Sequence, residues 1–227
     1  MSLLELVAIE GRLANASNFT LLARDREETL WVYKPNQGER PLHDFRAGTL
    51  AGREVLAYEL SEALAIGVVP ETVLATGQFG PGSAQRWLEE DESFDPRDLL
   101  LPTPRPVVWP IAVLDLICNN ADRKLGHLLR EKDGGRLWAI DNALTFHHHD
   151  KLRTVMWGLA GATIPEELQK AIAAASEEME RGLAKRVERL LSRVEARALA
   201  ARMSALITDP VHPQPPTDRP AFPWPVW

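Results

Sequence analysis

The chain has 227 residues and a mass of 25.3 kDa, which fits one domain with two closely joined lobes. Its formal net charge of -6 argues against a dedicated nucleic-acid-binding protein, because such proteins bind phosphate backbones through clustered Lys and Arg. No apolar run approaches the roughly 20 residues that span a bilayer. The first residues lack the features of a signal peptide, and a single cysteine, Cys118, excludes an internal disulfide framework. We therefore expect a cytoplasmic protein without a transmembrane segment.

The first ninety residues or so predict a strand-rich region with one helix. Three short apolar runs separated by polar segments are typical of an antiparallel meander. Apolar residues at helical spacing from Leu50 to Leu64, followed by Gly67 and Pro70, predict a helix. The predicted strands lie at residues 6–9, 19–23, 29–33, 68–75 and 84–88.

The rest of the chain predicts mainly helices. A proline-rich segment over residues 95–110 indicates a connection between lobes, and Pro110 suits the first turn of a helix that reaches Cys118. A hairpin is predicted with strands at 128–129 and 137–140, and one or two long amphipathic helices at 165–207.

Residues 209–227, which we call the tail, are rich in proline and predict an extended segment that wraps the surface or stays mobile. Trp224 and Trp227 lie in this segment. We expect them to anchor the tail in a groove of this chain or of a protein partner.

The predicted hairpin should gather polar groups at its mouth. His127 lies at its entry and Asp141 at its exit, so the two should be neighbours, with Asp122 in the loop just before them. Magnesium favours one or two carboxylates together with phosphate oxygens and water. The step of five residues from Asp122 to His127 matches the step from the catalytic Asp to the metal-binding Asn in the kinase motif H-R-D-x-x-x-x-N. The pattern indicates phosphoryl transfer.

The upstream half of the chain supplies matching residues. Lys34 ends a predicted strand and Glu54 lies on the following predicted helix; in kinases a strand Lys contacts the nucleotide phosphates and a helix Glu positions it. Glu59 competes for the helix role. A G-x-G-x-x-G pattern is absent, and its nearest substitute is the turn that contains Ser17 and Asn18, which could donate hydrogen bonds to the nucleotide.

Five short segments together resemble an uncharacterised family of bacterial proteins, best known in actinobacteria. That family is related to the phosphatidylinositol 3-/4-kinases and, more distantly, to HipA-like protein kinases. The resemblance covers roughly residues 5–160. The segments are Val-Tyr-Lys-Pro at 32–35, Gly-Glu-Arg-Pro-Leu at 38–42, Gly-Thr-Leu-Ala at 48–51, Arg-Glu-Val at 53–55 and Asn-Asn-Ala-Asp-Arg-Lys at 119–124.

The resemblance implies an α+β, protein-kinase-like fold with two lobes, of the phosphatidylinositol 3-/4-kinase type. The strand-rich N-lobe would take residues 1–90 and a reduced helical C-lobe residues 91–208, with the tail outside this single domain.

The resemblance also implies a role for each residue at the site. Lys34 would bind ATP phosphate and Glu54, within the matching Arg-Glu-Val, would pair with it. Asp122 would be the catalytic Asp and Asp141 the metal-binding Asp, with ATP and Mg²⁺ as cofactors. His127, a second metal-ligand candidate, stands where the related kinases have Asn, and imidazole is a poorer magnesium ligand than a carbonyl oxygen.

Two other functions stay open. His127, the missing glycine-rich loop and the short C-lobe are also compatible with a nucleotide-binding pseudokinase that acts as a regulatory scaffold. A metal-dependent hydrolase could instead use Asp122, His127 and Asp141 with the cluster at His147–His149. With Asp150 these histidines suggest a zinc site, but adjacent histidines point in different directions, so we expect them to line the mouth of the site beyond Asp141. The acceptor, a protein or a small molecule, cannot be read from the sequence.

Overall fold

Five strands form a closed barrel in the first part of the chain. The computed structural model describes residues 3–13, 19–101, 103–132, 135–179 and 184–227. In the barrel the strand order is β1-β2-β3-β5-β4. The strands are β1 (Leu4–Arg12), β2 (Leu21–Asp25), β3 (Leu30–Pro35), β4 (Thr72–Gly77) and β5 (Gly80–Arg86).

The first three strands are the predicted antiparallel meander. The barrel closes through a pairing that was not predicted, in which β1 runs parallel to β4 and Leu4 lies opposite Ala75. Such a pairing joins residues far apart in the chain, so no local sequence pattern predicts it.

Alternation along β3 determines which side chains enter the barrel. Trp31 and Tyr33 are buried inside it, so Lys34, between Tyr33 and Pro35, points to the outer face. The other buried residues of the barrel core are Leu6, Leu21, Ala23, Ala75 and Ala84.

The last two barrel strands differ from their predicted positions. β5 begins at Gly80 rather than at residue 84 and includes Gly82, where a Cβ atom would lie 2.2 Å from the carbonyl oxygen of Lys34. Glycine therefore lets β5 approach β3 closely. β4 begins at Thr72 rather than at residue 68, because Val68 and Val69 are buried in the helical core instead.

Helices and a small hairpin make up most of the remaining structure. The hairpin is β6 (Leu128–Arg130) and β7 (Leu137–Ala139). The predicted one or two helices after residue 165 are three described segments, and the last begins at a capping box in which Ser192 and Glu195 bond reciprocally. The helices are α1 (Leu50–Ala63), α2 (Arg97–Leu100), α3 (Trp109–Cys118), α4 (Glu166–Glu178), α5 (Ala184–Leu190) and α6 (Arg193–Thr208).

α1 joins the barrel to the helical core. It packs against β4 and β5 on one side and against α3, α4 and α5 on the other. Burial on several sides explains why Arg53 and Glu54 are buried along with the apolar residues of this helix. α3 is buried over nearly its whole length and ends at Asn119, whose φ of 54° gives a left-handed cap.

The lobe boundaries at residues 90 and 208 stay a prediction, although β5 ends at Arg86 and α6 at Thr208. Across the residues that the structure describes, no helix combines the length and apolar character needed to cross a membrane.

Candidate active site

Lys34 and Glu54 form a close ion pair between the barrel and α1. The Lys34 Nζ atom lies 2.5 Å from Oε1 of Glu54, whose side chain is buried. Glu59, the competing candidate on the same helix, is instead 3.0 Å from Nη1 of Arg186 on α5. Glu54 is therefore the glutamate that contacts the strand lysine.

Asp141 meets this pair from the exit of the hairpin. Its Oδ1 atom lies 2.9 Å from Lys34 Nζ, and its Oδ2 atom lies 3.3 Å from Nε2 of His127. The amide of Ile140 donates to the carbonyl oxygen of His127 at 3.0 Å. His127 and Asp141 are thus neighbours, as the hairpin predicts.

Asp122 lies in the loop before the hairpin, partly buried. Its Oδ2 atom is 3.1 Å from Lys124 Nζ, and its amide donates to the side-chain oxygen of Asn120 at 2.9 Å. Burial raises the pKa of Asp122 while Lys124 opposes that rise, and the charge of Asp141 is near enough to raise it further. The two carboxylates therefore belong to one electrostatic site.

A buried arginine that the sequence interpretation passed over connects these loops. Arg123 is 0% exposed and makes an ion pair with Asp115 on α3 at 2.9 Å. It also donates to the Ile140 carbonyl at 2.7 Å and to Oδ1 of Asn142 at 2.5 Å. One feature of the sequence could have indicated this ion pair. Asp115 is the only charged residue in the sequence of α3, and a charge on an apolar helix needs a buried partner.

Asn142 connects this hydrogen-bond network to α1. Its amide donates to Oε2 of Glu54 at 3.0 Å, while Oε1 of Glu54 contacts Lys34. Asp141, next to Asn142, has a φ of 55°, a left-handed conformation that is uncommon outside glycine. The surrounding bonds from both neighbours hold this conformation, as expected where backbone strain collects at functional sites.

The charges at the site depend strongly on one another. Burial alone would raise the pKa of Asp141, but Lys34 and His127 hold it well below its usual range. Burial opposes the charge of Lys34, yet Asp141 and Glu54 outweigh that effect and raise its pKa. Burial lowers the pKa of His127 to about 4, against the opposing effect of Asp141. His127 is therefore neutral near pH 7 and can offer a nitrogen lone pair.

The donor set suits a divalent metal that also carries phosphate oxygens. Asp141 supplies a carboxylate and His127 an imidazole, and magnesium needs only one or two such protein ligands. Around Lys34, Glu54 and Asp141 the free space is about 20 Å³, enough for roughly one water molecule. This enclosed space is too small for a phosphate group, so phosphates would have to bind from the open side of the site or displace one of these side chains.

Some predicted site residues fall outside the described part of the chain, and others do not form the predicted site. Ser17 and Asn18, the predicted phosphate donors, fall outside the described residues. His147, His148 and His149 stack on one another, with ring centroids of His147 and His148 4.5 Å apart. Among the described residues, no three His, Cys, Asp or Glu side chains are grouped to hold a metal ion, neither in this cluster nor at Asp122, His127 and Asp141. The hydrolase alternative therefore finds no set of three ligands.

The tail follows the surface of the helical part. Trp224 is 88% exposed and Trp227 60% exposed, so neither is enclosed in a groove of this chain. Trp227 nevertheless lies under the guanidinium of Arg97, which is 5.8 Å from its ring centroid.

Comparison with known proteins identifies a relative over almost the whole chain. The mycobacterial protein Rv2133c, from Mycobacterium tuberculosis strain ATCC 25618 / H37Rv, is 36% identical over 261 residues, covering 97% of this chain and 92% of the relative. This chain belongs to the Rv2133c family. No family model matches the sequence.

Several solved structures similar to this Rv2133c-family chain are structures of kinases. The Helicobacter pylori proinflammatory kinase CtkA matches with a TM-score of 0.56 and 11% identity, covering 92% of this chain and 93% of that one. The Golgi casein kinase matches with a TM-score of 0.59 and 10% identity, over 92% and 73% of the two chains. A structure of the same kinase with Mn and ADP bound gives a TM-score of 0.58 at 10% identity, over 92% and 72%. The fold is therefore α+β and kinase-like.

Proposed function

We propose that this chain is an ATP- and Mg²⁺-dependent phosphotransferase whose site is organised as in the phosphatidylinositol 3-/4-kinases. One observation carries the proposal: the Lys34–Glu54 pair meets Asp141, with Asp122 on the adjoining loop. A strand lysine, a helix glutamate and two loop carboxylates are the parts that kinases use for phosphoryl transfer.

The similar structures support this proposal. CtkA and the Golgi casein kinase are both named as kinases, and the casein kinase has been seen with Mn and ADP. A nucleotide with a divalent metal is accordingly the ligand that we assign to the cleft around Lys34.

Each residue of the site would have its own role in phosphoryl transfer. Lys34 would leave Asp141 and contact the phosphates, while Glu54 keeps its ammonium aimed at them. Asp122 would orient the acceptor hydroxyl and take its proton; its pKa, raised by burial, favours that role because a more basic carboxylate accepts a proton more readily.

Asp141 and His127 would hold the metal. Magnesium, when bound, would neutralise charge on the transferred phosphate. Asp141 is suited to this position because it is held ionised, and His127 because its neutral ring is already directed at the same carboxylate. Arg123 and Asn142 would keep the loops of Asp122 and Asp141 in register.

One observation favours a pseudokinase as the second candidate. Both oxygens of Asp141 are engaged within the chain, one by Lys34 and one by His127. A protein that only binds nucleotide could keep this closed arrangement as its resting state. The acceptor, a cytoplasmic location and a protein partner for the tail remain predictions.

Thermal stability with ATP, with and without magnesium, tests the proposal. A ligand present at a hundred times its Kd stabilises a protein by about 2.7 kcal/mol, which corresponds to a rise of roughly 5–10 °C in Tm for a chain of this size. We expect a magnesium-dependent rise for the wild type, its loss in Asp141→Ala, and a rise without ATP turnover in Asp122→Asn.

The alternatives give different results. A magnesium-dependent rise without phosphoryl transfer to any acceptor or to water would select the pseudokinase. If no nucleotide raises Tm with any divalent metal, the proposal of a nucleotide-binding site is wrong. Glu54→Gln should weaken the magnesium-dependent rise, and Glu59→Gln is its matched control, because Glu59 lies on the same helix but contacts Arg186.

A further inference from the structure

The tail is fastened to the helical part at two places before it reaches the site. The amide of Ile164 donates to the carbonyl oxygen of Pro210 at 2.7 Å. Farther along, the carbonyl oxygen of Ala221 accepts from Nε1 of Trp157 at 2.7 Å and from the amide of Thr154 at 3.2 Å. These anchors fix the course of the residues that follow.

The last residues of the tail then contact the loop of Asp122. The amide of Leu125 donates to the carbonyl oxygen of Val226 at 2.9 Å. A Cβ atom at Gly126 would lie 3.9 Å from Nε1 of Trp227, so the indole rests against that glycine. Arg97 covers the same ring.

The contacted turn carries candidate site residues at both ends. Leu125–His127 forms a single 3-10 turn without any buried residue. Lys124, immediately before it, pairs with Asp122, and His127, its last residue, contacts Asp141. A 3-10 turn has poor hydrogen-bond geometry, so a partner that bonds to its first amide and packs on its glycine limits its motion.

We propose that Val226 and Trp227 act as a clamp that positions the Leu125–His127 turn, and through it His127, for metal binding. The contacts between the tail and the turn do not depend on the proposed function, whereas their effect on metal binding rests on it. The clamp contributes no ligand, so Val226 and Trp227 are positioning residues. Trp227 would hold the turn by its ring, and Val226 by its backbone carbonyl.

Three variants of the full chain separate the clamp from the rest of the tail. Deletion of residues 226–227 removes the carbonyl and the ring together, whereas Trp227→Ala removes the ring alone. Trp224→Ala is the matched control, since that indole is 88% exposed and precedes the clamp in the same tail.

Amide hydrogen exchange over residues 122–128 is the first measurement. Loss of the hydrogen bond that the Leu125 amide donates to Val226 should speed exchange at Leu125 by about fivefold or more in the deletion variant. Trp227→Ala should give a smaller increase and Trp224→Ala none. Unchanged exchange in the deletion variant would overturn the clamp.

Magnesium dependence of ATP binding is the second measurement. Loss of a group that orients a metal ligand should raise the half-saturating magnesium concentration by about tenfold in the deletion variant, with metal-free nucleotide affinity unchanged. A merely structural tail would leave that concentration unchanged, and faster exchange with an unchanged magnesium requirement would therefore refute the positioning role. If the wild type binds no nucleotide, the proposed function fails, while the exchange measurement still decides whether the clamp holds the turn.

Discussion

Replacing Arg123 with methionine should remove a large part of the protein's stability, because it leaves the carboxylate of Asp115 buried without its cationic partner. Both side chains are essentially inaccessible, at 0% and 1% exposure, and their atoms meet at 2.9 Å. Breaking such a buried pair from one side costs about 3–5 kcal/mol. For a chain of 227 residues, that loss lowers Tm by roughly 6–20 °C.

The double variant Arg123→Met/Asp115→Leu should recover the part of this loss that comes from the unpaired charge. Removing both charges together replaces the ion pair with apolar side chains of similar volume, which is often nearly neutral. Asn120 and Thr154 also bond to Asp115, and Ile140 and Asn142 accept from Arg123, so each of these groups should retain a cost of about 1 kcal/mol. The double variant should therefore lie within about 4 kcal/mol of the wild type and be more stable than Arg123→Met.

Urea denaturation of the wild type, the two single variants and the double variant measures this coupling. The reasoning is refuted if Arg123→Met costs less than about 1 kcal/mol, or if the double variant loses the sum of the two single losses. The double variant should bind magnesium and ATP more weakly than the wild type, because it lacks the hydrogen bonds that Arg123 donates to Ile140 and Asn142. Recovered stability with recovered binding would show that Arg123 does not position the site.

Three further predictions follow from particular contacts. Burial lowers the pKa of His127 from 6.5 to about 4, so the unfolded chain binds more protons between these values and stability is lost as pH falls below 6.5. The contribution of His127 should lower the free energy of unfolding by roughly 2 kcal/mol between pH 8 and pH 5. In His127→Asn the loss of stability over the same pH range should be smaller by that amount. Gly82→Ala should cost about 2–3 kcal/mol, because its Cβ would meet the Lys34 carbonyl at 2.2 Å; Gly11→Ala, whose Cβ would meet no described atom within 4 Å, is the control that should change stability little. Ser192→Ala removes the capping box of α6 and should cost about 1 kcal/mol in thermal denaturation.

The sequence by itself determined the features that depend on local pattern. The short apolar run at β3, helical spacing in α1 and the hairpin after Asp122 were enough to predict strand, helix and the contact between His127 and Asp141. These features are readable because side-chain direction repeats with a period of two in strands and 3.6 in helices.

Tertiary structure decided the features that need partners distant in the chain. The barrel closes through Leu4 and Ala75, and Glu54 rather than Glu59 reaches Lys34 because α1 packs between the barrel and α3 in one orientation. A residue's sequence position does not show which side of a buried helix will face a given neighbour. Only the packed fold shows that Arg123 is enclosed and ties the loops of Asp122 and Asp141 together, since the free energy of a buried charge depends on all the groups that surround it.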